Sequence, residues 1–146
     1  MKKTSLTLLV MLFAIVTGCR SQKNIANMED KIKSVIETFA KAGAENNATP
    51  YDHILHSEFR VIANRYPTPD KTSIIPREAY VGLIASKKIG GTPYEVSFQN
   101  ISIIDHSATV MAHFKGKEGS QWLTFLLVLD ASDNWKIITD IAVQKK

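Results

Sequence analysis

"SATVMAHFKGKEGSQWLTFLLVLD" (residues 107–130) decides the architecture of this chain. Apolar side chains recur at every second position from Ala108 through Val110, Ala112 and Phe114, the period of a half-buried strand. Gly116 to Gly119 then supply a turn, and a second apolar run follows. Closing that turn as a hairpin sets Gln121 opposite Phe114, Trp122 opposite His113 and Leu123 opposite Ala112. One face then carries Ala108, Val110, Ala112, Phe114, Leu123, Phe125 and Leu127. The other carries Thr109, Met111, His113, Trp122, Thr124 and Leu126.

The same period extends outward on both sides. Strands are predicted over 94–104, 107–115, 121–130 and 135–143, joined at Asp105-His106, Gly116–Gly119 and Asp133-Asn134. An unbroken register places Ile138 and Asp140 on the first face. It places Trp135, Ile137, Thr139 and Ile141 on the second. Both faces of 121–130 are apolar, so both require cover. The purely apolar face is assigned to helices and any ligand pocket, with Asp140, Phe114 and Phe125 as its candidate residues. The mixed face is assigned to a homodimer through Met111, His113, Trp122 and Thr124, with Thr109, Ile137 and Thr139 beside them.

Upstream the period is helical. Met28, Ile32, Val35, Ile36 and Phe39 form one stripe, with Asn27 as its expected cap and Gly43 and Asn46-Asn47 as its stop. A short helical turn is predicted from Pro50 through Leu55, then a strand over 59–66 that Pro67 and Pro69 break. Pro76 opens a further helix with Tyr80, Leu83 and Ile84 on its apolar face. Lys87 and Lys88 are expected in its last turn, and Gly90-Gly91 stop it. Helices on one side of a curved antiparallel sheet make an α+β fold.

The N-terminus gives an address. Met1-Lys2-Lys3 is a positive leader, and Leu6 to Val16 is apolar except for Thr7. This run is short of the about 20 residues of a membrane-spanning helix and matches a secretory signal. Val16-Thr17-Gly18-Cys19 resembles the lipobox of bacterial lipoproteins. The resemblance implies cleavage before Cys19 and attachment of diacylglycerol to its thiol. Residues 1–18 are then signal peptide, 19–26 a polar tether and 27–146 one domain. Arg20-Ser21, with no acid beside the cysteine, resembles sorting signals that favour the outer over the inner membrane. The expected location is the bacterial cell envelope, lipid-anchored and facing the periplasm.

Cys19 is the only cysteine, so neither an internal disulfide nor a Cys-x-x-Cys site is available. The net charge of +4 includes Lys2 and Lys3 of the leader, and the other basic residues are scattered. This is a solvated surface and not a nucleic-acid footprint. His53 and His56 are spaced for one metal beside Asp52, but no third ligand is evident, and no metal or cofactor is expected. His106 falls in a hairpin turn, and phosphate-loop, dinucleotide and nucleophile-elbow motifs do not occur. Asp140 is the one chemical anomaly. A carboxyl on an apolar face is costly to ionise and suits a general base or a ligand contact. The competing assignment places it at the sheet margin, solvated or paired with Arg60 or Lys136.

The element order, with "FRVI" (59–62), "PREAYVGLI" (76–84) and "NWKII" (134–138), resembles the NTF2-like cone fold. That fold is shared by nuclear transport factor 2, ketosteroid isomerases, scytalone dehydratase and SnoaL-like proteins. Within it these segments look most like the small bacterial branch labelled "putative lumazine-binding". The resemblance covers about residues 28–143 and rests on packing patterns, so it implies the fold more than an activity. Without paired acids and bases, the expectation is a non-catalytic lipoprotein binding a small apolar or aromatic ligand or a partner protein. The alternative is a ketosteroid-isomerase-like or dehydratase-like enzyme using Asp140 as its catalytic acid.

Overall fold

The computed structural model describes residues 5–65 and 68–143, with side chains from residue 24 to 142 and residues 66–67 excepted. The chain divides into two compact units, residues 1–31 and 32–146. Helix α1 (Ser5–Ala44) supplies the described part of the first unit and enters the second. It passes through Asn27, so the cap expected there is not used. The Cys19 side chain lies outside the described residues. Among the described residues no helix is long and apolar enough to cross a membrane.

In the second unit α1 ends at Ala44, and Asn46 turns the chain in the left-handed region at φ 51°. A short helix α2 (Tyr51–Ile54) leads into strand β1 (Leu55–Asn64). Strand β2 (Thr72–Pro76) is an element the sequence reading left out, and it folds back antiparallel on β1. Pro76 ends that strand and caps α3 (Arg77–Ala85), so the helix starts one residue later than expected. Lys87 and Lys88 fall beyond the helix, with Lys87 at φ 58°. The meander follows as β3 (Glu95–Ile104), β4 (Ser107–Lys115), β5 (Ser120–Leu129) and β6 (Trp135–Val143).

The six strands form one curved sheet in the order β2-β1-β6-β5-β4-β3. It is mixed and not purely antiparallel, because β1 lies parallel to β6. The reason is connectivity: β1 precedes the meander, and the long excursion through β2 and α3 leaves its free edge to accept the last strand.

The quoted hairpin has the expected register, with Gln121 opposite Phe114, Trp122 opposite His113 and Leu123 opposite Ala112. Ala108, Val110, Ala112, Phe114, Leu123, Phe125 and Leu127 are all buried. They share the core with Ile32, Ile36 and Phe39 of α1 and Ile84 of α3. The register of β6 departs from expectation at one point. Thr139 faces Leu126 but Ile137 faces Leu127, so Ile138 is an extra residue in a bulge. A bulge exchanges faces. Ile137 and Trp135 are therefore core residues, and the assignment of Ile137 to a dimer surface is corrected.

Candidate functional site

Asp140 lies on β6 with Phe125 of β5 and Val61 of β1 as its cross-strand partners, all facing the helices. It is 5% exposed and is the only polar residue in the buried set of described residues. It is therefore not at a solvated margin. Arg60 pairs with Glu58 at 3.9 Å and Lys136 with Asp130 at 3.7 Å, so neither basic residue proposed as its partner meets it. Its Oδ1 has no hydrogen-bond partner among the described residues. Burial without compensation favours the neutral acid and pushes its pKa up from 3.8 to about 7.

Two tyrosines stand within electrostatic reach. Tyr51, the first residue of α2, donates its hydroxyl proton to the Phe39 carbonyl oxygen at 3.3 Å. It also hydrogen-bonds the Tyr80 hydroxyl from α3. Tyr51 has one proton, and it is directed to Phe39, so Tyr80 is the donor in that second bond. Burial pushes Tyr51 up to about 12, against the hydrogen bond from Tyr80, and the Asp140 charge adds to the rise. Tyr80 is also held well above its ordinary value, first by burial and then by Tyr51 and Asp140.

Tyr51 and Tyr80 belong to an aromatic cluster on this side of the sheet. Phe39 is at its centre, 5.5 Å from Tyr51, 6.3 Å from Phe59 and 5.4 Å from Phe125 between ring centroids. The Tyr80 ring stacks on Phe39 at 5.7 Å with only 4° between planes. Phe114 extends the cluster, 6.0 Å from Phe125 and 5.8 Å from Tyr94. Tyr80 is only partly buried, whereas Phe39, Tyr51, Phe59 and Phe125 are buried. Two surface clefts are described, of about 450 Å³ along Glu37, Lys41, Tyr94 and Val96, and about 270 Å³ along Ser57, Arg60, Ile74 and Arg77. Asp140 lines neither of them.

Asp140, Phe125 and Phe114, the candidate pocket residues, are thus brought to one side of the sheet. The tyrosines were not foreseen as polar members. Tyr80 reads as one more apolar position of its helix, and the only signal is that a phenol there needs a partner when buried.

The other candidates fall elsewhere. Met111, His113, Trp122 and Thr124 lie on the opposite face of the sheet, where the His113 and Trp122 rings stack at 4.6 Å. Met111 is 42% exposed and Leu126 41%. One row across this face reads Ile74, Ile62, Ile141, Thr124, Met111 in successive strands. His56 accepts the Glu58 amide on Nδ1, while His106 is exposed beside Asp105. Among the described residues no group of three or more His, Cys, Asp or Glu is arranged to hold a metal ion.

A family model described as "Putative lumazine-binding" matches residues 27–141. The chain belongs to this family. Among the solved structures similar to this chain are NTF2-like proteins at low identity. A protein of unknown function from Silicibacter pomeroyi matches at 10% identity and a TM-score of 0.71, covering 83% of this chain and 98% of its own. One from Shewanella baltica, also of unknown function, matches at 14% and 0.70, covering 83% and 96%. One from Cytophaga hutchinsonii matches at 17% and 0.63, covering 80% and 98%. No curated protein matches the sequence. At these identities the solved structures establish the NTF2-like fold of this family member and no activity.

Proposed function

We propose that this domain binds a small planar aromatic ligand on the helix-covered side of the sheet, with Asp140 as the polar contact. The observation that carries the reading is the buried Asp140 carboxyl, whose Oδ1 has no partner among the described residues and which pairs across the strands with Phe125 of the aromatic cluster. A buried polar atom without a partner destabilises the fold by roughly 1–3 kcal/mol unless something else completes it. A ligand donor would do so. The description of the family points the same way, toward a flat heterocycle. Such a ligand enters by displacing Tyr80, the partly exposed member of the group. The domain acts behind a lipidated Cys19 at the envelope membrane, and two copies associate through the Met111–Trp122 face.

The test is calorimetric titration of the full chain with a lumazine-type pteridine, alongside Asp140→Asn. Binding that weakens at least about tenfold in the variant supports the reading. Equal binding by both proteins removes Asp140 from the site.

A second reading has its own support. Asp140 changes protonation near neutral pH and lies close to two phenols, an arrangement suited to proton transfer. That favours a ketosteroid-isomerase-like or dehydratase-like activity. Turnover of a ketone or hydroxy-ketone substrate that disappears with Asp140→Asn would establish it.

A further inference from the structure

We propose that the cleft between the last two turns of α1 and the start of β3 binds a small organic ammonium ion with an apolar body. This site is separate from the proposed ligand contact at Asp140, which does not line it. The cleft has a volume of about 450 Å³, within the usual range for a small-molecule pocket. The sequence of α1 makes room for it. The large core residues Ile32, Ile36 and Phe39 give way to Ala40 and Ala44, whose short side chains line the cleft with Tyr94 and Val96. The aromatic wall is held in place. The Tyr94 ring meets the buried Phe114 ring at 5.8 Å, with 62° between planes. Gly116 also packs close, since a Cβ there would lie 3.0 Å from Tyr94 Cε1. A wall already fixed in the free protein costs a ligand little ordering on binding.

Charge selects the ligand. Glu37, Lys41 and Glu45 line the cleft one helical turn apart, two carboxylates to one ammonium. Lys41 is drawn to Glu45, with Nζ 3.9 Å from Oε1. Glu37 is therefore the carboxylate in excess within the lining. The cleft also lies at the C-terminal end of α1, where the helix dipole presents its negative end. Both contributions favour a cation and disfavour an anion. Tyr94 offers its ring to the apolar body of the ligand or to the charged nitrogen itself.

The experiment titrates the full chain with three probes that share one ring system: tryptamine, N-acetyltryptamine and indole-3-propionate. Tryptamine, the cation, should bind at least about tenfold more tightly than the neutral amide, and the anion should not bind. Ala44→Leu fills the cleft, and Glu37→Lys reverses its excess charge. Each should weaken tryptamine binding at least about tenfold with the melting temperature kept. Glu37 is exposed, so its variant decides the matter should Ala44→Leu fail to fold. Asp140→Asn should leave tryptamine affinity unchanged. Absence of tryptamine binding, equal binding of the three probes, or tryptamine binding that survives Glu37→Lys overturns the proposal. Affinity that falls with Asp140→Asn and not with Glu37→Lys seats the amine at Asp140 and overturns the cleft as its site. Failure of the pteridine to bind, with tryptamine following the expected pattern, removes the Asp140 reading and leaves the cleft standing.

Discussion

A core carboxyl with one unpartnered oxygen is a load on stability, and its sign can be worked out. The pKa of Asp140 rises from 3.8 to about 7 on folding. The folded chain therefore holds a proton that the unfolded chain releases at lower pH. Below the ordinary carboxylate value both states are protonated and ionisation costs the fold nothing. As the pH climbs from there toward 7 stability falls, and above 7 it levels off. The full displacement corresponds to roughly 4 kcal/mol. Asp140→Leu removes the ionisation and keeps similar volume. Denaturant unfolding from pH 4 to 8 should show the wild-type chain losing stability across that range. The variant should lack that loss and be the more stable protein above pH 7. Matching slopes in the two proteins would sink this account of Asp140. Phe39 bears the opposite load. Its ring contacts Tyr51, Phe59, Tyr80 and Phe125 at once, so Phe39→Ala should destabilise by about 3–5 kcal/mol in the same assay.

The helices that cover Asp140 are held by a junction of backbones. Gly90 has φ +87°, and a Cβ there would lie 2.4 Å from the Gly43 carbonyl oxygen at the end of α1. The same oxygen accepts the Gly91 amide at 2.9 Å. Asn46 donates from Nδ2 to Ile89 O at 2.7 Å and to Ile84 O at 3.3 Å, tying the end of α1 to the end of α3. Gly90→Ala meets both an unfavourable φ and a backbone clash. It should destabilise by more than the roughly 1–3 kcal/mol of left-handed strain alone, read as a lowered melting temperature. Asn46→Ala should destabilise by about 1–3 kcal/mol, leaving part-buried carbonyls short of a donor. Sequence showed Gly90-Gly91 and Asn46 as stops, because conformational preference is local. It did not show that the stops meet, because close approach of two backbones has no sequence signature. The β4–β5 hairpin was legible in full: alternation fixes the face, and the turn fixes the register. On β6 the alternation "WKIITDI" (135–141) accommodates a bulge at Ile138 as well as an unbroken strand, so Ile137 was assigned to the wrong face. Asp140 lies beyond the bulge and was assigned correctly, since Phe125 pairs with it directly. Strand β2 escaped notice because five residues with an exposed Ile74 carry little pattern. Tyr51 and Tyr80 escaped because their partners come from three separate elements.

At the scale of the whole molecule two proposals place the domain in its setting. The first is the anchor. Each buried methylene contributes about 0.8 kcal/mol, so a lipid carrying two acyl chains holds a protein on a membrane stably. Cys19→Ser should leave the chain unprocessed or released, without fatty-acid label; label that persists in the variant would rule out Cys19 as the attachment point. The second is the dimer. The row from Ile74 through Ile62, Ile141 and Thr124 to Met111 crosses five strands, and Leu126 and the His113–Trp122 stack flank it. Met111 and Leu126 each leave about two-fifths of their surface to solvent. A surface of this kind, spread over a sheet face, suits the roughly 800 Å² per partner of a standard interface. It is remote from the buried Asp140 in one specific sense: its residues alternate with the core residues along the same strands and point the opposite way. A charge introduced there should therefore separate association from folding. Met111→Glu should convert the full chain in detergent from dimer to monomer by sedimentation, with its melting transition and its ligand binding retained. Ile137→Glu, on the core side of the bulge, should instead unfold the protein. Wild-type chain that sediments as a monomer at high concentration, or a Met111→Glu variant that stays dimeric, would show that this face does not pair two copies. If both substitutions unfold the chain alike, the face is part of the fold's own packing and not an interface.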